Sequence, residues 1–222
     1  MIKKNKFLAL ALVTILLLAA CGNGAAPAAQ NGAANGVSAS AVDASFPRGS
    51  ITGNTYTSDF TQLTFTLPDE TWDFFNDASL AQLMGISPDL MPARGEAVDF
   101  YALGVTIWDD MIAFHSETGS GVGVTIEDLT STPYAELISI EDHIEDLKAR
   151  LEAFEFTVYT LRESSERTIG GNLYHVIAAD VDIQGFTGEQ YIILRRQGSH
   201  MITININIYG DMTFDQVIAY IS

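Results

Sequence analysis

The sequence predicts an α+β domain, a mainly antiparallel sheet flanked by helices, and three observations carry that reading. Ile202, Ile204, Ile206 and Ile208 alternate with Thr203, Asn205 and Asn207, the period of a strand with one apolar and one polar face. Ile140, Ile144, Leu147, Leu151 and Phe154 recur at spacings of four and three, the stripe of an amphipathic helix. The carboxyl third is rich in Val, Ile, Tyr and Thr and is broken by short glycine-containing turns, so neighbouring strands run antiparallel.

The elements follow in chain order. Residues 1–20 begin with Lys3, Lys4 and Lys6 and continue as an apolar run from Phe7 to Ala20 broken only by Thr14. Fourteen helical residues rise about 21 Å, short of the roughly 30 Å hydrocarbon core, so the run suits a signal peptide and not a permanent span. It ends Leu18-Ala19-Ala20-Cys21-Gly22, which resembles the lipobox of bacterial lipoproteins; Cys21 is the one cysteine in the chain. The resemblance implies diacylglycerol attachment at the Cys21 sulfur, cleavage before it, and a protein held at the extracytoplasmic face of the cell membrane. Two acyl chains suffice for stable anchoring without a spanning helix. The other reading is an ordinary signal peptide with an incidental cysteine.

Residues 22–45 are almost wholly Gly, Ala, Asn and Ser and contain no aromatic, so residues 21–45 read as a lipidated Cys and a flexible tether. Residues 46–222 are expected to form one domain. Within it, residues 51–67 read as two short strands, the second ended by Pro68. Asp77 and Gly85 are the expected caps of a short helix. Pro88 and Pro92 argue for loop, and Glu96 to Leu103 suits a second short helix. Thr106–Ser116 and Val122–Leu129 read as a hairpin through Gly119 and Gly121. Ser139 is the expected N-cap of the helix to Phe154, with Glu141 and Asp142 in its first turn and Asp146 placed to pair with Arg150. Four strands follow (156–161, 173–183, 187–196 and 200–209), with turns at Gln184-Gly185 and Gln197-Gly198. A helix over Phe214–Ile221 closes the chain.

This order, with Gly53-Asn54-x-Tyr56-x-Ser58 followed by Leu63-x-Phe65-x-Leu67-Pro68-x-x-x-Trp72, resembles Mog1/PsbP-like domains over about residues 50–222. The resemblance implies an α/β/α sandwich. Relatives of this form occur in bacterial lipoproteins, and the better-known members bind protein partners. Their binding residues are not recognisable in this chain, so none is carried over.

Charge and composition exclude several classes. The 222 residues hold 28 Asp+Glu against 11 Lys+Arg, a net charge of −17; cleavage before Cys21 removes three lysines and no acid, leaving 8 against 28, or −20. Such a surface repels anionic headgroups and nucleic acid, so no nucleic-acid partner is expected; it stays soluble and favours cationic partners. At 47% hydrophobic residues the chain is not disordered as a whole.

No catalytic set, metal site or cofactor motif emerges. His115, His143, His175 and His200 share no ligand spacing: His175 suits a half-buried strand position, His143 a solvated helix position, and His115 a wet hairpin tip near Glu117. Asp180-x-Asp182-x-Gln184-Gly185 imitates the start of an EF-hand, but loop position twelve is Tyr191 and the flanks are strands, so the most that Asp180 and Asp182 offer is a weak surface cation site. Asp109 and Asp110 are adjacent on a strand and face opposite ways. Gly119-Ser120-Gly121 lacks the spacing of a nucleophile elbow, and Gly123 completes a turn, not a phosphate loop. The expected function is therefore a membrane-anchored, non-catalytic binding or accessory lipoprotein with a possible protein partner. Two alternatives stand beside it. One is an extracytoplasmic hydrolase or carbohydrate-active enzyme, for which Trp72 and Trp108 could line a sugar site and a cleft would gather Asp109, Asp110, His115, Glu117 or Asp128. The other is a solute-binding component, usually built of two lobes.

Overall fold

The structure is a computed structural model and describes residues 45–131, 139–154 and 157–222. The signal segment, Cys21, nearly all of the tether and the first residue of the strand expected from Phe156 lie outside the described residues. None of the described helices is long and apolar enough to cross a membrane.

Thirteen strands and four α-helices are described: β1 (Phe46–Pro47), β2 (Ser50–Thr52), β3 (Thr55–Ser58), β4 (Leu63–Thr66), β5 (Trp72–Phe74), α1 (Asp77–Met84), β6 (Ala97–Val98), α2 (Phe100–Leu103), β7 (Ile107–His115), β8 (Gly121–Asp128), α3 (Ile140–Glu152), β9 (Val158–Leu161), β10 (Ser165–Ile169), β11 (Asn172–Ile183), β12 (Phe186–Gln197), β13 (His200–Ile208) and α4 (Phe214–Ile218). An antiparallel sheet runs β10-β11-β12-β13-β8-β7-β5, with β9 also paired to β11. Since β12 holds one edge of β11, β9 and β10 share the other edge, against Ala179–Asp182 and Asn172–Val176 respectively.

Turn chemistry sets this register. Gln184 and Gly185 both have positive φ (53° and 90°), as do Gly170 and Gly171 (55° and 80°), the pattern of two-residue hairpin turns that match strand twist. The first turn is as expected from sequence. The second creates β10, which the sequence reading passed over.

Helices flank both faces of the sheet, but unequally. On one face Ile202, Ile204, Ile206, Met111, Val122 and Val124 pack against Tyr56, Leu63 and Phe65 of the small β2-β3-β4 sheet and against Phe214 and Val217 of α4. Each fully buried isoleucine there contributes about 1.5–3 kcal/mol. On the other face Ile144 and Leu151 of α3 cover Ile177, Ile192, Leu194 and Met201, while Leu80 of α1 covers Ile112. The stripe expected on α3 is the packed one. Its Ser139 and Asp142 form a capping box, satisfying two amino-terminal N–H groups.

Several expectations are corrected. The segment 51–67 holds three strands, not two. The segment 96–103 is helical only over α2, because Ala97–Val98 pairs with Phe46–Pro47. Asn76, not Asp77, caps α1, its side chain accepting from Ser79 N at 2.9 Å. The last helix stops at Ile218, because the chain must turn to reach β4: Thr64 N donates to Ser222 O at 2.7 Å, and Ser222 N returns the bond at 2.9 Å. Asn205 and Asn207, expected on a polar outer face, are each 3% exposed.

Candidate functional site

Alternation along β11 puts Asp180 and Asp182 on the face that carries the small sheet, beyond the end of that core. Register supplies the neighbours: Asp180 lies opposite Glu189 of β12 and Thr160 of β9, and Asp182 opposite Thr187 and Val158. The chain leaving β13 through Gly210, Met212 and Thr213 forms a wall, and an open groove of about 690 Å³ results. Gly188 lies between the lining residues Thr187 and Glu189, and its Cβ position points to the opposite sheet face, where a methyl group would meet the Tyr209 ring at 2.5 Å and Ile208 O at 2.6 Å.

One arginine crosses the groove's acidic side. Arg162 Nη1 lies 3.1 Å from Glu189 Oε1, and its Nε lies 3.6 Å from Asp180 Oδ1. The guanidinium stands 5.2 Å over the Tyr191 ring, and that ring stacks on Phe214 at 4.1 Å. The Tyr191 hydroxyl donates to Glu189 Oε2 at 2.8 Å. Burial and this bond to Glu189 raise the Tyr191 pKa. Burial opposes the Arg162 charge, but Tyr191, Glu189 and Asp180 outweigh it and raise its pKa. Asp182 accepts from Gly185 N at 2.7 Å and so closes the β11–β12 turn. Three carboxylates against one guanidinium leave the groove a net acceptor of positive charge. Among the described residues, no group of three or more His, Cys, Asp and Glu side chains is placed to hold a metal ion.

The remaining residues singled out from sequence are scattered. Asp110 is the extra residue of a bulge in β7 between Asp109 and Met111, and the Asp109 and Asp110 carboxylates turn to different partners. Asp109 Oδ1 accepts from Thr125 Oγ1 at 2.8 Å. Burial, partly offset by Thr125 and reinforced by the Asp110 charge, pushes its pKa up to about 6. Asp128 accepts from Thr130 in the short 3-10 turn after β8. His115 Nδ1 accepts from the backbone N–H of Glu117 and Thr118, and its Nε2 faces Thr71 Oγ1 at 3.1 Å. Ser120, 0% exposed, donates to Tyr209 O and accepts from Tyr209 N, tying the β7–β8 turn to the end of β13. His175 is half-buried near Glu166, as expected. His143 is not solvated as expected: it is half-buried 3.9 Å from Glu127, and burial pushes the His143 pKa down and the Glu127 pKa up. His200 is buried among Phe46, Phe60 and Phe100. Trp72 and Trp108 are core residues, 2% and 0% exposed, so neither presents a stacking face to a sugar. Of the acids expected at a cleft, Asp109, Asp110 and Asp128 are buried, at 2%, 0% and 7% exposed, whereas Glu117 is exposed in the β7–β8 turn.

A buried ionic clasp was not legible in sequence. Arg48, 2% exposed, reaches Asp77 Oδ1 at 2.5 Å and Pro92 O at 2.6 Å, and its Nε lies 3.9 Å from Asp110 Oδ1. Arg94 joins Asp77 at 3.1 Å and Asp110 O at 2.6 Å. Burial raises the cost of the Asp77 charge, but Arg48 and Arg94 prevail and lower its pKa. The clasp locks the start of the domain to α1 and β7. Its partners are separated by up to 62 positions, from Arg48 to Asp110, and no local pattern marks such a set.

No protein-family model matches the chain, and no protein of curated function matches it in sequence. Among solved structures it is similar to the solution structure of cyanobacterial PsbP (CyanoP) from Synechocystis sp. PCC 6803, at 12% identity and a TM-score of 0.46, over 89% of this chain and 99% of that one. A likeness of that size decides nothing about function.

Proposed function

We infer that the protein is a lipoprotein held through Cys21 at the extracytoplasmic face of the cell membrane, and that its domain is a non-catalytic binding module for a cationic partner segment. The observation that carries the binding reading is the open groove, whose Asp180, Asp182 and Glu189 carboxylates outnumber Arg162 in a chain of net charge −17. Hydroxyls of Thr160, Thr187 and Thr213 and the exposed Val158 beside these acids suit lysine or arginine side chains, whose stems are apolar and whose ends are charged. The anchor reading rests on the basic start, the apolar run and the sole cysteine.

Two experiments test it. Fractionation of Cys21→Ser against wild type, with mass spectrometry of the native chain, is expected to show loss of acylation and of membrane retention; unchanged retention removes the anchor. Titration of the full chain with a lysine-rich peptide is expected to show salt-sensitive binding that Asp180→Asn/Glu189→Gln weakens. No binding, or hydrolysis of a glycan or ester panel by the purified protein, defeats the non-catalytic binding reading.

A further inference from the structure

The outer side of β9 is an unpaired sheet edge. Register on β11 sets Val158 opposite Asp182, Tyr159 opposite Val181, Thr160 opposite Asp180 and Leu161 opposite Ala179. Arg162 N donates to Ala178 O at 2.8 Å, so by alternation Thr160 and Val158 turn their backbone N–H and C=O groups toward β11. Tyr159 and Leu161 turn theirs outward, where no strand among the described residues pairs with them. Beyond Leu161 the edge is guarded. Arg162, Glu163 and Ser164 stand against only Ala178 and Ile177, which makes a bulge, and β10 after it carries the exposed Glu166 and Arg167. β9 itself has no charged side chain. Val158 is 66% exposed and Thr160 is exposed beside it. These two form the rim of the acidic groove, and Asp182 and Asp180 stand one strand further in on the same sheet face. The Asp180 carboxylate meets Arg162 at 3.6 Å and accepts no hydrogen bond from a described residue.

We propose that the cationic partner segment binds as an added β-strand on this edge, with lysine or arginine at every second position turned into the groove. This rests on the groove reading above and adds the partner's backbone shape and residue period. The outward N–H and C=O groups of Tyr159 and Leu161 give an extended chain its main-chain bonds. Neighbouring strands lie about 4.8 Å apart, so a partner residue opposite Thr160 stands about 10 Å from the Asp180 backbone. A lysine stem laid across Thr160 closes that gap and brings its ammonium to the Asp180 carboxylate. A second, opposite Val158, rests its stem on that exposed side chain and points at Asp182. The intervening residues face the other way, toward the α3 side. Charge selects the occupant. A second copy paired edge to edge would bring acids against acids in a chain of net charge −17, whereas a cationic strand neutralises them.

The test is a titration of the 15N-labelled full chain in detergent micelles with an end-capped peptide of alternating lysine and threonine, and with two backbone N-methylated forms of it. One form is methylated at every lysine nitrogen, the other at every threonine nitrogen. In an added strand only every second N–H faces β9, so one form is expected to lose affinity about tenfold or more and the other to keep it. Loss in the threonine form reports an antiparallel partner, and loss in the lysine form a parallel one. With the parent peptide at about ten times its Kd, amide exchange at Tyr159 and Leu161 is expected to slow about tenfold. Binding that both methylated forms share equally, or that leaves exchange at these two amides unchanged, overturns the added strand and leaves the groove reading standing. No binding by the parent peptide overturns both. Protection of Tyr159 and Leu161 that grows with protein concentration in the absence of peptide assigns the edge to a second copy and also overturns the proposal.

Discussion

The Tyr56 hydroxyl donates to Asp110 Oδ2 at 2.6 Å, joining the small sheet to the bulge of β7 across 54 positions. Gly49 N donates to the same oxygen at 2.9 Å, and Trp108 Nε1 to the other at 3.1 Å. One buried carboxylate thus satisfies three donors from three segments and lies beside the Arg48 guanidinium. Losing it leaves those three buried donors unmet and takes away one of the two carboxylates beside Arg48, so Asp110→Ala is expected to cost about 3–5 kcal/mol, against about 1.5–3 kcal/mol for Tyr56→Phe. Urea midpoints check both; a loss below about 1 kcal/mol for Asp110→Ala would show that the clasp is energetically idle.

Gly49 itself has no room for a methyl group. A Cβ there would stand 2.4 Å from the Tyr56 ring and 2.7 Å from Asp110 Oδ2. Gly49→Ala should therefore lower the melting temperature more than Gly53→Ala, where a Cβ meets nothing within 4 Å and only the positive φ of 60° opposes it. Equal losses would mean that the ring moves aside freely.

The Asp109 pKa of about 6 sets a pH dependence. Its unfolded value is about 3.9, so between roughly pH 4 and 6 the folded state binds the extra proton, and stability falls as pH rises. Above pH 6 the buried charge costs on the order of 3 kcal/mol. Asp109→Asn keeps an oxygen for Thr125 and removes the charge. It should be the more stable form at pH 7, and the gap should close toward pH 4. Parallel stability curves for the two proteins over that interval would contradict the assignment.

At the groove, Arg162→Ala removes the one cation among the acids. The side chain is over a third exposed, so its ion pairs with Glu189 and Asp180 hold less than about 1 kcal/mol of stability. Affinity for a lysine-rich peptide should rise about two- to fivefold in low salt, and the gain should fade as salt screens the acids. Weaker binding after the substitution would mean that Arg162 itself touches the ligand.

The Ser139–Asp142 capping box should be measurable separately. Ser139→Ala is expected to cost about 0.5–2 kcal/mol, read from thermal unfolding, while Ser139→Asp should recover most of it.

Local chemistry was enough for the pieces whose physics is local. The stripe of α3, its Ser139 cap, the Gln184-Gly185 turn and the alternation of Ile202 to Ile208 depend on neighbours within a few positions, so the sequence alone implied an antiparallel sheet with helices. The tertiary structure decided where long-range partners settle. The chain leaves the expected helix after Ile218 so that Ser222 pairs with Thr64, and Asn205 and Asn207, expected on an outer face, are buried. Asp110 finds Tyr56 and Arg48, and Asp180 finds Glu189 and Arg162. A strand's period says which residues share a face. Only the layer placed over that face determines whether it meets water, a helix or a ligand, and that layer comes from distant parts of the chain.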